Sequence, residues 1–154
     1  MHVKLTIAYD GTGFVGWQRQ PTGTSIQALL EDALAPLDAA PVVVHGAGRT
    51  DAGVHACGQV ASITLQRTIT TDALVRALNF RLPRAVRVLS AEEVAPDFHA
   101  RFSASRKSYR YRIWNAEVRS PFERGRSWHV RDPLDDAAMH EAASCFVGEK
   151  DFAS

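Results

Sequence analysis

Val3, Leu5, Ile7 and Tyr9 alternate with Lys4, Thr6 and Ala8. That period commits the opening of the chain to a strand with one apolar face, which some other part of the molecule must cover. Two stretches have the pattern to do so. Ser25 suits the N-cap of a helix carrying Ile26, Leu29, Leu30, Ala33, Leu34 and Leu37 on one side, with Pro36 and Pro41 bracketing its end. Thr70 or Thr71 caps a second helix through Leu74, Ala77 and Leu78, which Leu82-Pro83 stops. Further strands are predicted at 42–44, a β-branched run, at 59–65 and at 86–94. Strands and helices alternate without repeats, so the expected class is α+β, a sheet with helices packed on one face.

The later part of the chain continues the pattern. Tyr109, Tyr111 and Ile113 alternate with Arg110, Arg112 and Trp114, which predicts a strand over 108–114. Asp132-Pro133 has the form of an N-cap followed by proline at the first helical position, and Met139, Ala142, Ala143 and Phe146 then predict a third helix, stopped by Gly148. Residues 150–154 follow with no closing element, as if the chain were cut there.

The chain's 154 residues can bury roughly 68–70% of their unfolded surface, so no disulfide or metal is needed for stability. Cys57 and Cys145 are too few for a disulfide framework or a zinc ligand set, and both are expected to be small buried apolar residues. The six histidines contain no His-Glu-x-x-His spacing, so no metal site is expected. There is no basic leader and no apolar run long enough to span a bilayer, which predicts a cytoplasmic protein without a membrane partner.

Chemistry concentrates in residues 46–55, where Arg49 and Asp51 sit among Gly46, Gly48 and Gly53 between two predicted strands. The glycines invite a nucleotide-binding reading, but Asp51 stands where a third dinucleotide-fold glycine belongs and no Gly-Lys-Ser/Thr follows. An acid at that point repels phosphate, so the loop is built to present a negative oxygen, and Asp51 is the expected reagent. The bland alternative is a turn aspartate bonded to its own backbone. His55 is expected to be a structural hydrogen-bonding group.

The net charge is only +1, yet its distribution is uneven. Between Arg101 and Arg131 nine cations stand against the two acids Glu117 and Glu123, a local +7. The preference for arginine suits bidentate contact with phosphate and stacking on bases. Arg101, Arg106, Arg110 and Arg112 are therefore the candidate RNA contacts, the alternative being a solvated face.

The segment Gly48-Arg49-Thr50-Asp51-Ala52-Gly53-Val54-His55-Ala56 resembles the signature of the tRNA pseudouridine synthase A family. Supporting blocks fall in the family's order: Tyr9-Asp10-Gly11-Thr12 with Phe14, Gly16-Trp17-Gln18 with Gln20, Asn79 with Leu82-Pro83, Phe98-His99-Ala100-Arg101-Phe102-Ser103-Ala104, Arg106 with Tyr109 and Tyr111, and Gly148 with Asp151-Phe152. The resemblance implies a pseudouridine synthase fold with a mixed or antiparallel sheet. It divides the chain into an N-terminal half, 1–104, carrying the catalytic loop, and a segment, 105–154, with a connecting basic strand and the start of a second half. It further implies a cofactor-free homodimeric isomerase that converts uridines 38 to 40 of the tRNA anticodon arm to pseudouridine. By motif position Asp51 matches the essential aspartate, taken here as the catalytic nucleophile. Tyr109 matches the tyrosine that packs on the target base, and Arg49 the arginine that holds the flipped nucleotide. The family's second-half arginine has no counterpart in this sequence.

The chemistry suits those residue types. Pseudouridine formation breaks the N1–ribose bond, turns the uracil and rejoins it through C5, so it needs an anionic oxygen, a closed pocket and a group to take the C5 proton. The residues leave open whether that oxygen attacks the base, attacks the sugar or assists deprotonation. Extruding a stacked base costs a few kcal/mol, which a tyrosine platform offsets by about 1–3 kcal/mol. The second reading from sequence is a non-catalytic RNA-binding fragment. Both readings predict that RNA affinity falls steeply with rising salt, through counterion release, in a filter-binding titration. A flat response would reduce the basic run to a solvated surface.

Overall fold

The computed structural model describes residues 1–151; Phe152 of the last motif block, with 153 and 154, lies outside them. The chain forms two compact units, Met1–Ser108 and a second beginning at Tyr109.

Among the described residues the first unit holds a four-stranded sheet: β1 (His2–Tyr9), β2 (His45–Gly46), β3 (Ala56–Thr64) and β4 (Val86–Glu93), in the order β2-β3-β1-β4. Every neighbouring pair is antiparallel. The alternation of β1 is realised in full, with Val3, Leu5, Ile7 and Tyr9 buried and the residues between them half-buried. Ala61 and Ile63 of β3 pair with Leu5 and Val3 and share that buried face. Helices α1 (Ile26–Leu34) and α2 (Thr71–Arg81) cover it, with Ile26, Leu30, Leu34, Leu74 and Leu78 in the same core cluster. Truncating any of these leucines to alanine removes contacts worth about 2–5 kcal/mol.

The helix limits follow from local chemistry. The Ser25 hydroxyl accepts the Ala28 N–H at 3.2 Å, and Thr70 likewise accepts from Ala73. Pro36 has no N–H with which to continue α1, and Leu82, forced extended by the following proline, ends α2 at ψ 144°. Asn79 then docks α2 on β4, its side chain bonding both the carbonyl and the N–H of Val88 at 2.8 and 2.9 Å.

Register is regular at the start of β1 and irregular at its end. The pairing with β4 shifts between Thr6 and Ile7, and the pairing with β3 between Ile7 and Tyr9.

One expected strand does not form. Residues 42–44 run alongside α1 instead, where the Val44 N–H donates to Glu31 at 3.3 Å and the Val44 carbonyl accepts from Gln27 at 3.2 Å. Those side chains take the backbone groups that a ladder would need, so pairing starts only at His45.

The second unit contains a parallel pair, β5 (Ile113–Asn115) with β6 (Trp128–Val130), a helix α3 (Asp136–Ala143), and short 3-10 turns at Pro121–Glu123 and Ser144–Phe146. The strand expected over 108–114 is confined to 113–115, so Tyr109, Arg110, Tyr111 and Arg112 are exposed and outside any ladder. Only the Arg112 carbonyl joins the pair, accepting from Trp128 at 2.8 Å. Helix α3 begins later than Asp132-Pro133 suggests. Asn115 holds the Asp132 carbonyl and the Leu134 N–H, and Asp135 caps the helix by accepting from Ala138 at 2.9 Å. Met139, Ala142, Ala143 and Phe146 are exposed, and among the described residues of this unit none is buried. Both cysteines are also exposed, against expectation.

Asp38 ties the end of α1 to the exit of β3, its carboxylate accepting from the Gln66 N–H at 3.0 and 3.1 Å and from the Arg67 N–H at 2.9 Å. The Gln66 bond first, then that from Arg67, holds its pKa below the ordinary carboxylate value. A lowered folded-state pKa contributes stability that is complete above the unfolded value and is lost as pH falls through the folded one. Urea midpoints across the acid range are expected to drop more steeply in the natural chain than in Asp38→Asn.

Candidate active site

The loop 47–55 joins β2 to β3 and is tied down at nearly every residue before it reaches Asp51. The Ala47 N–H donates to the Val60 carbonyl at 2.8 Å, and Gln59 reaches the Gly48 carbonyl at 2.8 Å. Thr50 is held twice: the Trp17 N–H donates to its carbonyl at 2.9 Å, and its hydroxyl lies 2.9 Å from the hydroxyl of Tyr9. Tyr9 is 4% exposed. Burial, more than its hydrogen bonds to Thr50 and Gln59, decides its ionisation and raises its pKa, so its hydroxyl is a neutral anchor.

The segment 10–17 packs on the same loop. Gly16 has φ +104°, and a Cβ there would strike the Thr50 carbonyl oxygen; a Cβ on Gly11 would strike that of Val54. Glycine at 16 is thus required twice, by torsion and by contact. The Gly11 N–H faces Nδ1 of His55 at 3.2 Å, and Asp10 Oδ1 lies 3.1 Å from the same nitrogen, which gives His55 the structural role expected of it.

Asp51 opens a four-residue turn closed by its own carbonyl, which accepts from the Val54 N–H at 3.2 Å. Gly53, third in the turn, has φ +79°, as a type II turn requires. The backbone closes this turn, so the carboxylate is not used up in it. Asp51 is exposed, and among the described residues no hydrogen bond or ion pair engages its side chain. Among the described residues no ion pair joins Asp51 to Arg49.

Beside the loop runs an open groove of about 550 Å³ along the edge strand β2. Arg49, Arg101 and Lys107 line it, together with Trp17, Gln18, Gln27, His45, His99 and Phe102, and no carboxylate is among its lining residues. Three cations without a counter-charge make an anion-attracting trough. Of the predicted residues, the structure brings Arg49 and Arg101 together here. Asp51 follows Arg49 by two positions but is not itself in the wall. Arg106 is exposed in the same unit, whereas Tyr109, Arg110 and Arg112 belong to the second unit, where Arg112 pairs with Glu123 at 3.0 Å.

Sequence reasoning did not single out Lys107, His45 or His99 as groove residues, nor Tyr9 as a loop anchor. Lys107 lay in the basic run and could have been found from it. The Tyr9–Thr50 bond spans 41 residues, and no local pattern carries it. Among the described residues no cluster of three or more His, Cys, Asp or Glu is arranged to hold a metal ion, and no helix is long and apolar enough to cross a membrane.

Comparison with known proteins places the loop in context. The sequence model of a family described as tRNA pseudouridine synthase matches residues 5–103. A tRNA pseudouridine synthase A of Rhodospirillum centenum is 54% identical over 152 residues, covering 98% of this chain and 62% of the relative. One from Geobacter sulfurreducens is 51% identical, covering 99% and 62%, and one from Methylacidiphilum infernorum is 49% identical, covering 98% and 59%. The chain thus spans about three-fifths of the length of the curated relatives it matches.

The anchoring of Thr50 makes two expectations. Tyr9→Phe removes one hydrogen bond and should lower unfolding stability by about 0.5–1.5 kcal/mol. Gly16→Ala should loosen the loop outright, raising amide exchange at Trp17, whose N–H donates to Thr50. Unchanged Trp17 exchange in Gly16→Ala would show that the loop is held by something else.

Proposed function

The chain belongs to the tRNA pseudouridine synthase family, and on that premise we propose that it isomerises uridine to pseudouridine in tRNA, with Asp51 as the catalytic nucleophile. The observation that carries this reading is the exposed carboxylate of Asp51 on a loop fixed at Thr50, two residues beyond a groove-lining arginine.

The reaction conserves atoms. The N1–C1′ bond of uridine breaks, the detached uracil turns within the site, and C5 bonds to C1′; the proton lost from C5 is balanced by one gained at N1. A fixed anionic oxygen serves this sequence by meeting the nucleoside at one geometry, so that little orientation is lost on the way to the transition state. The target base must leave its stack first. Arg49, at the groove wall, would hold the everted nucleotide's phosphate, while Arg101 and Lys107 neutralise its neighbours. Arg106, Arg110 and Arg112 would extend the phosphate contacts, and Tyr109 would pack against the target uracil. The finer assignment follows the sequence resemblance: uridines 38 to 40 of the anticodon stem-loop, a homodimer, no cofactor, and a cytoplasmic site of action.

A second reading is that these residues alone bind RNA without turnover. It is favoured by the second unit, whose described residues include none that is buried.

The decisive experiment follows tritium release from tRNA carrying C5-tritiated uridine, in the full-length protein. Asp51→Asn keeps shape and removes charge, and should cut release by about a thousandfold or more, the scale of losing a nucleophile. Its tRNA affinity should stay within about 0.5 kcal/mol, as for an exposed substitution. Comparable release from Asp51→Asn would remove this carboxylate from the chemistry.

A further inference from the structure

Phe102 is 79% exposed, and unlike a side chain on a loose loop it stands on a turn that is firmly held. The turn is anchored to the sheet through its neighbour: Ala100 is buried, and its N–H donates to the Ser62 hydroxyl at 3.1 Å. The Ser103 N–H donates to the His99 carbonyl at 2.8 Å and its hydroxyl accepts the His99 N–H at 3.1 Å, closing the turn on both sides. The Arg101 N–H donates to His99 Nδ1 at 3.2 Å and so fixes the imidazole.

Three rings follow one another here, each tilted against the next by 42° and 33°. His45 lies 5.1 Å from His99, and His99 lies 4.5 Å from Phe102, centroid to centroid. The Arg101 guanidinium sits 5.8 Å from the Phe102 ring centre. All four residues line the cationic groove, with Arg49 and Lys107.

We propose that the Phe102–His99 pair is a stacking platform for the base of an unpaired RNA nucleotide, whose phosphates lie toward Arg101 and Lys107. This rests on the function proposed above and adds a binding element to it. Charge selects the partner, because a polyanion satisfies the groove's cations while its bases offer flat apolar faces to the rings. Rigidity favours it further, since a ring held by its own turn loses little freedom on binding. A base gripped here would stand close along the strand to the uridine delivered to Asp51, and would help keep the RNA unstacked around it.

The test compares a short oligouridylate with its abasic counterpart of equal charge, so that the phosphate contribution cancels. The natural full-length protein should bind the oligouridylate about 5- to 150-fold more tightly, the range expected of base–aromatic stacking. Phe102→Leu should lose most of that preference while binding the abasic strand as before, and Phe102→Trp should keep it. A preference that survives unchanged in Phe102→Leu, or no preference in the natural protein, overturns the platform and leaves the pseudouridine reading standing. If neither strand nor tRNA binds at all, the platform falls together with that reading.

Discussion

The geometry of this molecule hangs on Thr50. Its carbonyl takes the Trp17 N–H and its hydroxyl meets Tyr9, so a loop that would otherwise be mobile inherits the stiffness of a buried strand. Each of these bonds is worth about 1 kcal/mol by itself. Their effect is positional, because both end on one residue, and Asp51 is the next along the chain. An acid set in place this way need not be gathered from solvent when a ligand arrives.

The division of charge supports the same arrangement. The turn that presents Asp51 is closed by backbone alone, so the carboxylate is not spent on structure. The cations of the groove lie among neutral and aromatic neighbours with no carboxylate in the wall. Negative and positive groups are thus kept on adjacent but separate surfaces, and neither cancels the other before a ligand arrives.

Much of the fold could be read from sequence where the determinant was local. The period of β1, the caps at Ser25 and Thr70 and the proline stop after Leu82 each act within a few residues, and each forms where expected. Features decided at a distance were not legible. Val44 is drawn off its ladder by Glu31 and Gln27 of a helix, and the start of α3 is displaced by Asn115. The alternation over 108–112 has the right period but no partner strand among the described residues, so its tyrosines stay in solvent. In the site, the acid and its arginine stood out as a motif. The ring row of His45, His99 and Phe102 did not, because it is assembled from a strand edge and a turn more than fifty positions apart.

The irregular end of β1 has a consequence for how the gene can change. Before Thr6 the strand is a plain ladder on both sides, paired from His2 onward. From Thr6 to Tyr9 the two flanking ladders change step at different places, but the extra residues lie in β3 and β4, and the unbroken alternation of β1 keeps Tyr9 on the buried face of Val3, Leu5 and Ile7. Deleting or inserting a single codon there would swap the faces of everything downstream, turning the anchor outward and leaving the acid on an untethered bend. Exchanging one side chain in this stretch costs a bond or a contact, whereas a change of length costs the whole face.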